Sequence, residues 1–163
     1  MNPTQVKIRK LQNSSEAETC AGMMSASEPW VTLGRDYETS LKIITDPNRE
    51  IYLALTGEEI AGFTILIMHG ALVGYIQSIC VAPEWRNKGI GSQLMAFAET
   101  RIFSESPNAF IMVSSFNPDA KRLYQQLGFE PIGELKDYII PGHSEYLLRK
   151  SIAPLTEFKP SSI

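Results

Sequence analysis

The chain has few of the residues that build disulfide frameworks and metal sites. Its 163 residues include only two cysteines and two histidines. Cys20 and Cys80 each lie in an apolar setting, outside any CxxC or Cys–His spacing. We therefore expect neither a disulfide scaffold nor a bound metal, and a reducing compartment fits this cysteine usage best.

Long apolar runs and a strong charge of one sign are also missing. The stretch 1–11 lacks the apolar core of a signal peptide, and no apolar run approaches the roughly 20 residues that span a bilayer. The formal net charge of −3 gives no broad attraction to nucleic acid or to an anionic membrane. We expect a cytoplasmic protein, monomeric or homodimeric, with no nucleic-acid or membrane partner.

What the chain does have is enough apolar sequence for one sizeable core. The hydrophobic fraction is 44% over 163 residues. The pattern predicts a single domain over residues 1–151. The segment 152–163 has two prolines and two serines with little periodicity, so we expect a loosely held C-terminal tail.

The first third of the chain predicts one strand and two helices. Apolar and basic residues alternate at 6–11, which is typical of a half-buried strand. Ser15 and Glu18 form a candidate capping box for the first helix. Apolar residues over 33–44 recur at helical spacing and predict the second helix.

The remaining chain predicts six strands and two helices. β-branched and aromatic residues over 50–82 indicate a meander of three strands. A helical pattern over 90–102 precedes a strand at 109–115, and the next helix ends at Gly128. Two further strands follow, beginning near Phe129 and Ser144.

A phosphate-binding junction lies between the third strand of the meander and the helix after it. Gly89 and Gly91 free the backbone there, so that N–H groups can turn toward one anion at the positive end of the helix. The spacing does not fit a P-loop, because Lys88 precedes the glycine. It does not fit a dinucleotide fingerprint either, because Leu94 occupies the third glycine position.

The motif Arg-x-x-Gly-x-Gly at 86–91 resembles the pyrophosphate loop of the GNAT family of N-acetyltransferases. A second motif of that family, Asn-x-x-Ala-x-x-Leu-Tyr-x-x-x-Gly-Phe, is matched at 117–129. The resemblance covers roughly 51–150. It implies an α/β (α+β) fold with a mixed, mainly antiparallel, seven-stranded sheet and about four helices.

The resemblance also implies acetyl-CoA as donor substrate, no metal, and an amine as acceptor. Transfer would occur by direct attack in a ternary complex, on an amine of a small molecule or of a peptide or protein. The resemblance implies a set of coenzyme-binding residues in the strand, the loop and the second motif: Ile79, Cys80, Val81, Arg86, Asn87, Lys88, Gly89, Ile90, Gly91, Ser92, Asn117 and Tyr124.

Tyr124 is the candidate catalytic residue, because similar enzymes use this tyrosine to protonate the departing thiolate. Its helical spacing also fits simple packing with Leu123 and Leu127. Asn117 has two compatible roles, since it can bind the pantetheine arm and cap the helix.

The base that deprotonates the acceptor amine is harder to identify. Related enzymes often have a glutamate on the strand that here carries Tyr75 and Gln77, and neither is an ordinary base at pH 7. Glu28 and His143 are the loop candidates for this role. The candidate acceptor-binding residues are Glu28, Trp30, Tyr75, Gln77 and Tyr138, although Trp30 fits a core position equally well.

Because no ordinary base is evident, a second class of function stays open. The chain could be a non-catalytic regulatory or interaction domain that binds acyl-CoA. A phenol beside the thioester sulfur argues against this alternative, because pure binding does not require it.

Overall fold

The computed structural model describes residues 2–161. The strands are β1 (Lys7–Lys10), β2 (Glu50–Thr56), β3 (Glu59–Ile67), β4 (Tyr75–Val81), β5 (Asn108–Ser114), β6 (Glu130–Leu135) and β7 (Glu145–Ser151). The helices are α1 (Ser14–Ser25), α2 (Tyr37–Ile44), α3 (Ile90–Phe103) and α4 (Pro118–Gln126). None of the helices in this part of the chain is long and apolar enough to cross a bilayer.

The strands form one sheet in the order β1-β2-β3-β4-β5-β7-β6. Every neighbouring pair in this order is antiparallel except β4 and β5, which are parallel. The predicted mixed, mainly antiparallel, seven-stranded sheet with four helices is confirmed. The order of elements along the chain is also the predicted one.

Helices cover both faces of the sheet, and the alternation along β2 sorts its side chains between them. Ile51 and Leu53 pack in a cluster with Ala17 and Met24 of α1. Tyr52, between them, points to the opposite face and packs in the cluster that contains Met95, Ala98 and Ile102 of α3. A strand with period two therefore contributes to both cores, which explains why β2 is buried along most of its length.

The predicted capping box at the first helix is wrong. Asn13 caps α1 instead, and its side chain accepts a hydrogen bond of 2.9 Å from the backbone N–H of Glu16. Ser15 already lies within the first turn, so its hydroxyl is not in the capping position.

The second helix begins later than predicted. Residues 27–34 form turns, and Asp36 caps α2 by accepting a hydrogen bond of 2.8 Å from the backbone N–H of Thr39. Leu33 fits the helical spacing but lines a cavity from the preceding turns. The turns thus bring residues 28–35 to the edge of β4 rather than extending the helix.

The sheet opens between β4 and β5. These strands pair only at Tyr75–Phe110 and Ile76–Ile111. The register between β3 and β4 shifts at Gln77, which forms a bulge with no partner on β3. A bulge bends its strand, so β4 turns away from β5 beyond this point.

Candidate active site

The junction between β4 and α3 presents a row of free backbone donors. Asn87 and Gly89 have φ values of 60° and 83°, in the left-handed region, and α3 begins at Ile90. Within residues 2–161, the N–H groups of 87–92 have no hydrogen-bond acceptor. Such a row, at the positive end of a helix of 14 residues, is suited to a phosphate or pyrophosphate group.

The basic side chains of this loop point elsewhere. Arg86 donates through Nε to the carbonyl of Val81 at 3.2 Å and through Nη2 to Oγ of Ser27 at 3.4 Å. The ammonium of Lys88 lies 5.6 Å from the centre of the Trp85 ring. The free donors of this loop are therefore those of the backbone rather than those of the basic side chains.

The two glycines of the loop are required for different reasons. A Cβ at Gly89 would lie 2.6 Å from Cβ of Pro3, and its positive φ is unfavourable for other residues. Gly91 has room, because a Cβ there would meet only Cγ2 of Val81 at 3.8 Å. Gly89 thus serves the fold, whereas Gly91 leaves the backbone open to a ligand.

Two cavities lie along β4 between this loop and the opening in the sheet. A cavity of about 330 Å³ extends along β4 from Ile79 to Arg86. A larger cavity of about 470 Å³ lies where β4 and β5 separate. The two share Glu28, Trp30 and Ile79 in their walls, so they adjoin each other along β4.

Tyr124 enters the larger cavity from α4. Its ring centre lies 6.4 Å from that of Phe129 in an edge-on arrangement, and burial raises the pKa of its phenol. The hydroxyl has no hydrogen-bond partner among the described residues. A protonated, unpaired phenol is available to a group that enters the cavity.

The α4 helix that carries Tyr124 begins at the cavity wall. Asn117 caps it by accepting a hydrogen bond of 3.3 Å from the backbone N–H of Ala120, and the same residue lines the cavity. Leu123 is 43% exposed, whereas Tyr124 and Leu127 both pack against the cluster that contains Phe129. The predicted packing with Leu127 is therefore present, and that with Leu123 is weak.

Glu145 provides a carboxylate in the same cavity. It opens β7, where it pairs with Ser114 of β5 and Leu135 of β6, and it is only 5% exposed. Burial raises its pKa, while the Ser114 hydroxyl and the charges of Arg35 and His143 oppose that increase. A carboxylate with a raised pKa is a better proton acceptor than an exposed one.

Arg35 supplies a positive charge to the cavity wall. It follows the turns at 28–34, and its own N–H donates to the carbonyl of Trp30 at 2.9 Å. Burial lowers the pKa of its guanidinium, and the neighbouring Tyr75 and Glu145 raise it. Among residues 2–161, its side chain forms no ion pair and no hydrogen bond.

Tyr75 and Gln77 complete the wall on β4. Burial, together with Tyr138 and Glu145, raises the pKa of Tyr75 to about 12, so its phenol is protonated at neutral pH. Arg49 donates through Nε to Oε1 of Gln77 at 2.8 Å, which fixes the side chain of the bulged residue. Neither residue can act as a base at pH 7.

Two buried hydroxyls remain unpaired where the sheet opens. Oγ of Ser78 on β4 and Oγ of Ser114 on β5 have no hydrogen-bond partner within bonding distance among the described residues, although the Ser114 hydroxyl lies near enough to the Glu145 carboxylate to lower its pKa. Both residues line the larger cavity. Buried polar groups are usually paired, so these hydroxyls indicate a site that a polar ligand completes.

A model of the Acetyltransferase (GNAT) family matches residues 14–129. The chain belongs to this family. The match includes both the glycine loop and the helix of Tyr124.

Two curated GNAT relatives match part of the chain. An aminoalkylphosphonate N-acetyltransferase from Salmonella typhimurium is 35% identical over 95 residues, which are 53% of this chain and 60% of the relative. An N-alpha-acetyltransferase from Sulfurisphaera tokodaii is 34% identical over 92 residues, which are 53% of this chain and 54% of the relative. The matches thus span little more than half the length of these relatives.

Solved structures share the fold across most of the chain. A GNAT-family acetyltransferase from Desulfovibrio desulfuricans has a TM-score of 0.79 at 17% identity, covering 91% of this chain and 100% of that one. A Bacillus subtilis acetyltransferase in complex with CoA has a TM-score of 0.72 at 16% identity, covering 91% and 100%. At this level of identity the likeness concerns the fold alone.

The GNAT fold brings most of the predicted site residues together. The larger cavity contains eight of them in its wall: Glu28, Trp30, Tyr75, Gln77, Ile79, Asn117, Tyr124 and Tyr138. Cys80 and Val81 line the smaller cavity. Trp30 is only 6% exposed and packs in the core, while its role in acceptor binding stays a prediction.

His143 does not line the cavity. Its ring packs edge-on against Phe116 with the centres 5.1 Å apart, and its charge lowers the pKa of Glu145. Glu28 lies at the exposed rim, where its carboxylate accepts a hydrogen bond of 3.2 Å from the N–H of Thr32. Among residues 2–161, no cluster of His, Cys, Asp or Glu side chains could hold a metal ion.

Sequence reasoning missed Arg35, Glu145 and the two unpaired serines. Glu145 carried a usable signal, because it comes two residues after His143 at the start of a predicted strand. Arg35 carried none, since a basic residue before a helix cap resembles any solvated charge. The burial of both residues depends on strand order and on the turns at 28–34, which no local pattern encodes.

Proposed function

We propose that the protein is an acetyl-CoA-dependent N-acetyltransferase that acts on an amine of a small molecule or of a peptide or protein. One observation carries the proposal: the free N–H groups of 87–92 directly follow Arg86, which lines the smaller cavity, and the adjoining larger cavity contains both Tyr124 and Glu145. Membership of the GNAT family supports the reaction type. The CoA in complexes of the same fold supports the donor.

The chain fits the donor at three points. The N–H groups of 87–92 can bind its pyrophosphate, with Gly91 leaving the approach open. Beyond Ile76, the edge of β4 that faces β5 has no strand partner, so Ile79 and Val81 can pair with the amide-bearing arm. The opening between β4 and β5 then receives the thioester end of the donor, which carries the acetyl group to be transferred.

Glu145 and Tyr124 have opposite proton-transfer roles in this proposal. Most alkylamines are protonated at neutral pH, so the acceptor must lose a proton before its nitrogen can attack. The Glu145 carboxylate accepts that proton, directly or through one water. As the new C–N bond forms and the C–S bond breaks, the phenol of Tyr124 gives its proton to the departing thiolate. The nitrogen loses its second proton as the amide forms, and through water this proton restores the phenol of Tyr124.

The alternative is a non-catalytic regulatory or interaction domain that binds acyl-CoA. The polar groups in the cavity favour the catalytic function over this alternative. A buried carboxylate is unfavourable without a partner, and binding of a thioester requires neither this group nor the phenol of Tyr124. Relatives named for an aminoalkylphosphonate and for an N-alpha amine leave both small molecules and peptides as acceptor classes.

Release of free CoA thiol from acetyl-CoA, measured with a panel of amines, tests the proposal. We expect amine-dependent thiol release and a rise in melting temperature when acetyl-CoA is added, because a ligand that binds only the folded state stabilises it. Stabilisation without thiol release on any amine supports the non-catalytic alternative. No stabilisation and no release would remove the donor-binding site from the proposal.

A further inference from the structure

The larger cavity holds opposite charges that the protein leaves uncompensated. Arg35 and Glu145 both contribute to its wall, and each influences the titration of the other. They form no ion pair with each other, and neither has an ion-pair partner elsewhere within residues 2–161. The protein thus keeps two charges of opposite sign apart in one cavity.

Arg35 is half-buried and has donors to offer a ligand. Its guanidinium presents five N–H donors in a fixed fork, and its side chain here makes no hydrogen bond to the described residues. The other buried or half-buried arginines near the sheet are all paired, as Arg101 is with Glu50 and Arg49 with Asp46. Arg35 is therefore the one half-buried arginine of the described residues without an acidic partner. Its position in the cavity wall leaves its side chain free for a ligand.

We propose that Arg35 binds an anionic group on the acceptor, so that the substrate is a small amine that also carries a carboxylate or a phosphonate. The inference rests on the proposed acetyltransferase function. Glu145 receives the ammonium end, and the planar fork of Arg35 pairs with two oxygens of the anionic end. Tyr75 and Ser114, in the wall of the same cavity, supply neutral donors to the same acceptor.

A small zwitterion fits the cavity better than a peptide N-terminus does. The first residue of a peptide has an amide where a free amino acid has its carboxylate, so it would leave the guanidinium of Arg35 unpaired. A polyamine would bring a second positive charge toward Arg35. Charge complementarity thus selects against both, because an unpaired or like charge in a partly buried site is unfavourable.

Matched acceptors test this selection. β-Alanine and 2-aminoethylphosphonate have the same amine with two different anionic ends, and β-alaninamide has a neutral end of similar size. We expect kcat/KM for the anionic acceptors to exceed that for β-alaninamide, and that for a short peptide or spermidine, by at least about tenfold, since a charge-assisted pair is lost. Comparison of the carboxylate with the phosphonate identifies the preferred anion.

Variants of Arg35 test whether this residue causes the preference for anionic acceptors. Arg35→Gln should reduce the preference for β-alanine over β-alaninamide to near unity, and Arg35→Lys should retain part of it, because the charge remains while the fork is lost. The matched control is Arg122→Gln, which removes an exposed arginine on α4 whose partner is Asp119. The melting temperature of each variant reports whether it folds.

Binding without turnover separates this inference from the proposed function. Ligand-observed NMR of β-alanine and β-alaninamide, with wild type and Arg35→Lys, needs no acetyl transfer. Weaker binding of β-alanine to the variant, with β-alaninamide unaffected, supports the anionic subsite even if no amine is acetylated. Equal binding and equal turnover of the two acceptors by the wild-type protein would overturn the zwitterion while leaving the acetyltransferase function intact.

Discussion

Ser114 on β5 and Glu145 on β7 are register partners at the end of the sheet where β4 has turned away from β5. This pairing fixes the carboxylate of Glu145 on a central strand, with β5 on one side and β6 on the other. A side chain on a central strand is held more precisely than one on a loop. Glu145 can therefore serve as a base although the loop residue His143 lies outside the cavity.

Replacing Glu145 with glutamine should slow acetyl transfer. The amide cannot accept the proton of the acceptor ammonium, so we expect a loss of roughly 10²- to 10⁴-fold in the single-turnover rate at neutral pH. The affinity for acetyl-CoA should stay unchanged, because Glu145 lies away from the loop at 86–92. Glu130→Gln, on the exposed strand β6, is the control. A rate equal to that of the wild type would exclude Glu145 as the base.

The same substitution should stabilise the protein without ligand. Burial raises the folded-state pKa of Glu145, so its contribution to stability is present below the unfolded pKa of about 4.3 and is lost as the pH rises through the folded value. Glu145→Gln has no such loss. We expect its melting temperature to exceed that of the wild type at pH 7 to 8, with a smaller difference near pH 4. If the difference in melting temperature between Glu145→Gln and the wild type grows as the pH falls, the predicted direction is wrong.

The sequence was sufficient for the fold because the signals concerned are local. Strand alternation, helical spacing and the positions of Gly89 and Gly91 depend on neighbours in the chain, and the structure has these elements in the predicted order. The loop motif could be read for the same reason, since a strand followed by a glycine turn and a helix end is enough to form an anion site.

The acceptor side of the site could not be read in this way. Glu145 becomes buried only because β7 lies between β5 and β6, and Arg35 reaches the cavity only because turns replace the predicted first helical turns of α2. The opening between β4 and β5 depends on the bulge at Gln77, which has no marker in the sequence. Each of these features arises from tertiary packing rather than from local propensity.

The two loop glycines should respond differently to substitution. Gly91→Val introduces a side chain where the backbone has room, so we expect at least tenfold weaker binding of acetyl-CoA with little change in melting temperature. Gly89→Ala should instead lower the melting temperature, because its Cβ meets Pro3 and its φ is positive. Calorimetric titration and thermal unfolding measure the two effects. Equal coenzyme affinity for Gly91→Val and the wild type would place the pyrophosphate elsewhere.

The ion pair between α3 and β2 should contribute measurable stability. Arg101 contacts Glu50 through Nε and Nη2, both at 2.8 Å. Burial raises the pKa of Glu50, but the hydrogen bonds from Arg101 and Tyr52 outweigh it and the net pKa is lowered. Glu50→Gln should therefore reduce the free energy of unfolding by about 1–3 kcal/mol at pH 7.

This contribution has a defined pH dependence and a matched control. A lowered folded-state pKa gives stability that is present above the unfolded value of about 4.3 and is lost as the pH falls through the folded value. The difference between the wild type and Glu50→Gln in urea unfolding should thus shrink below pH 4. Asp119→Asn, which breaks the exposed pair with Arg122, should change stability little at any pH. Equal effects of the two substitutions would show that the buried pair has no special role.

Tyr124→Phe separates a catalytic phenol from a packing residue. The phenylalanine ring keeps the edge-on contact with Phe129, and the lost hydroxyl has no partner among the described residues, so stability should change little. If the hydroxyl protonates the thiolate, the single-turnover rate should fall by roughly 10²- to 10⁴-fold at unchanged acetyl-CoA affinity. Tyr146→Phe is the matched control, because its ring packs under Lys121 outside the cavity. Equal rates for Tyr124→Phe and the wild type would leave Tyr124 with a packing role only.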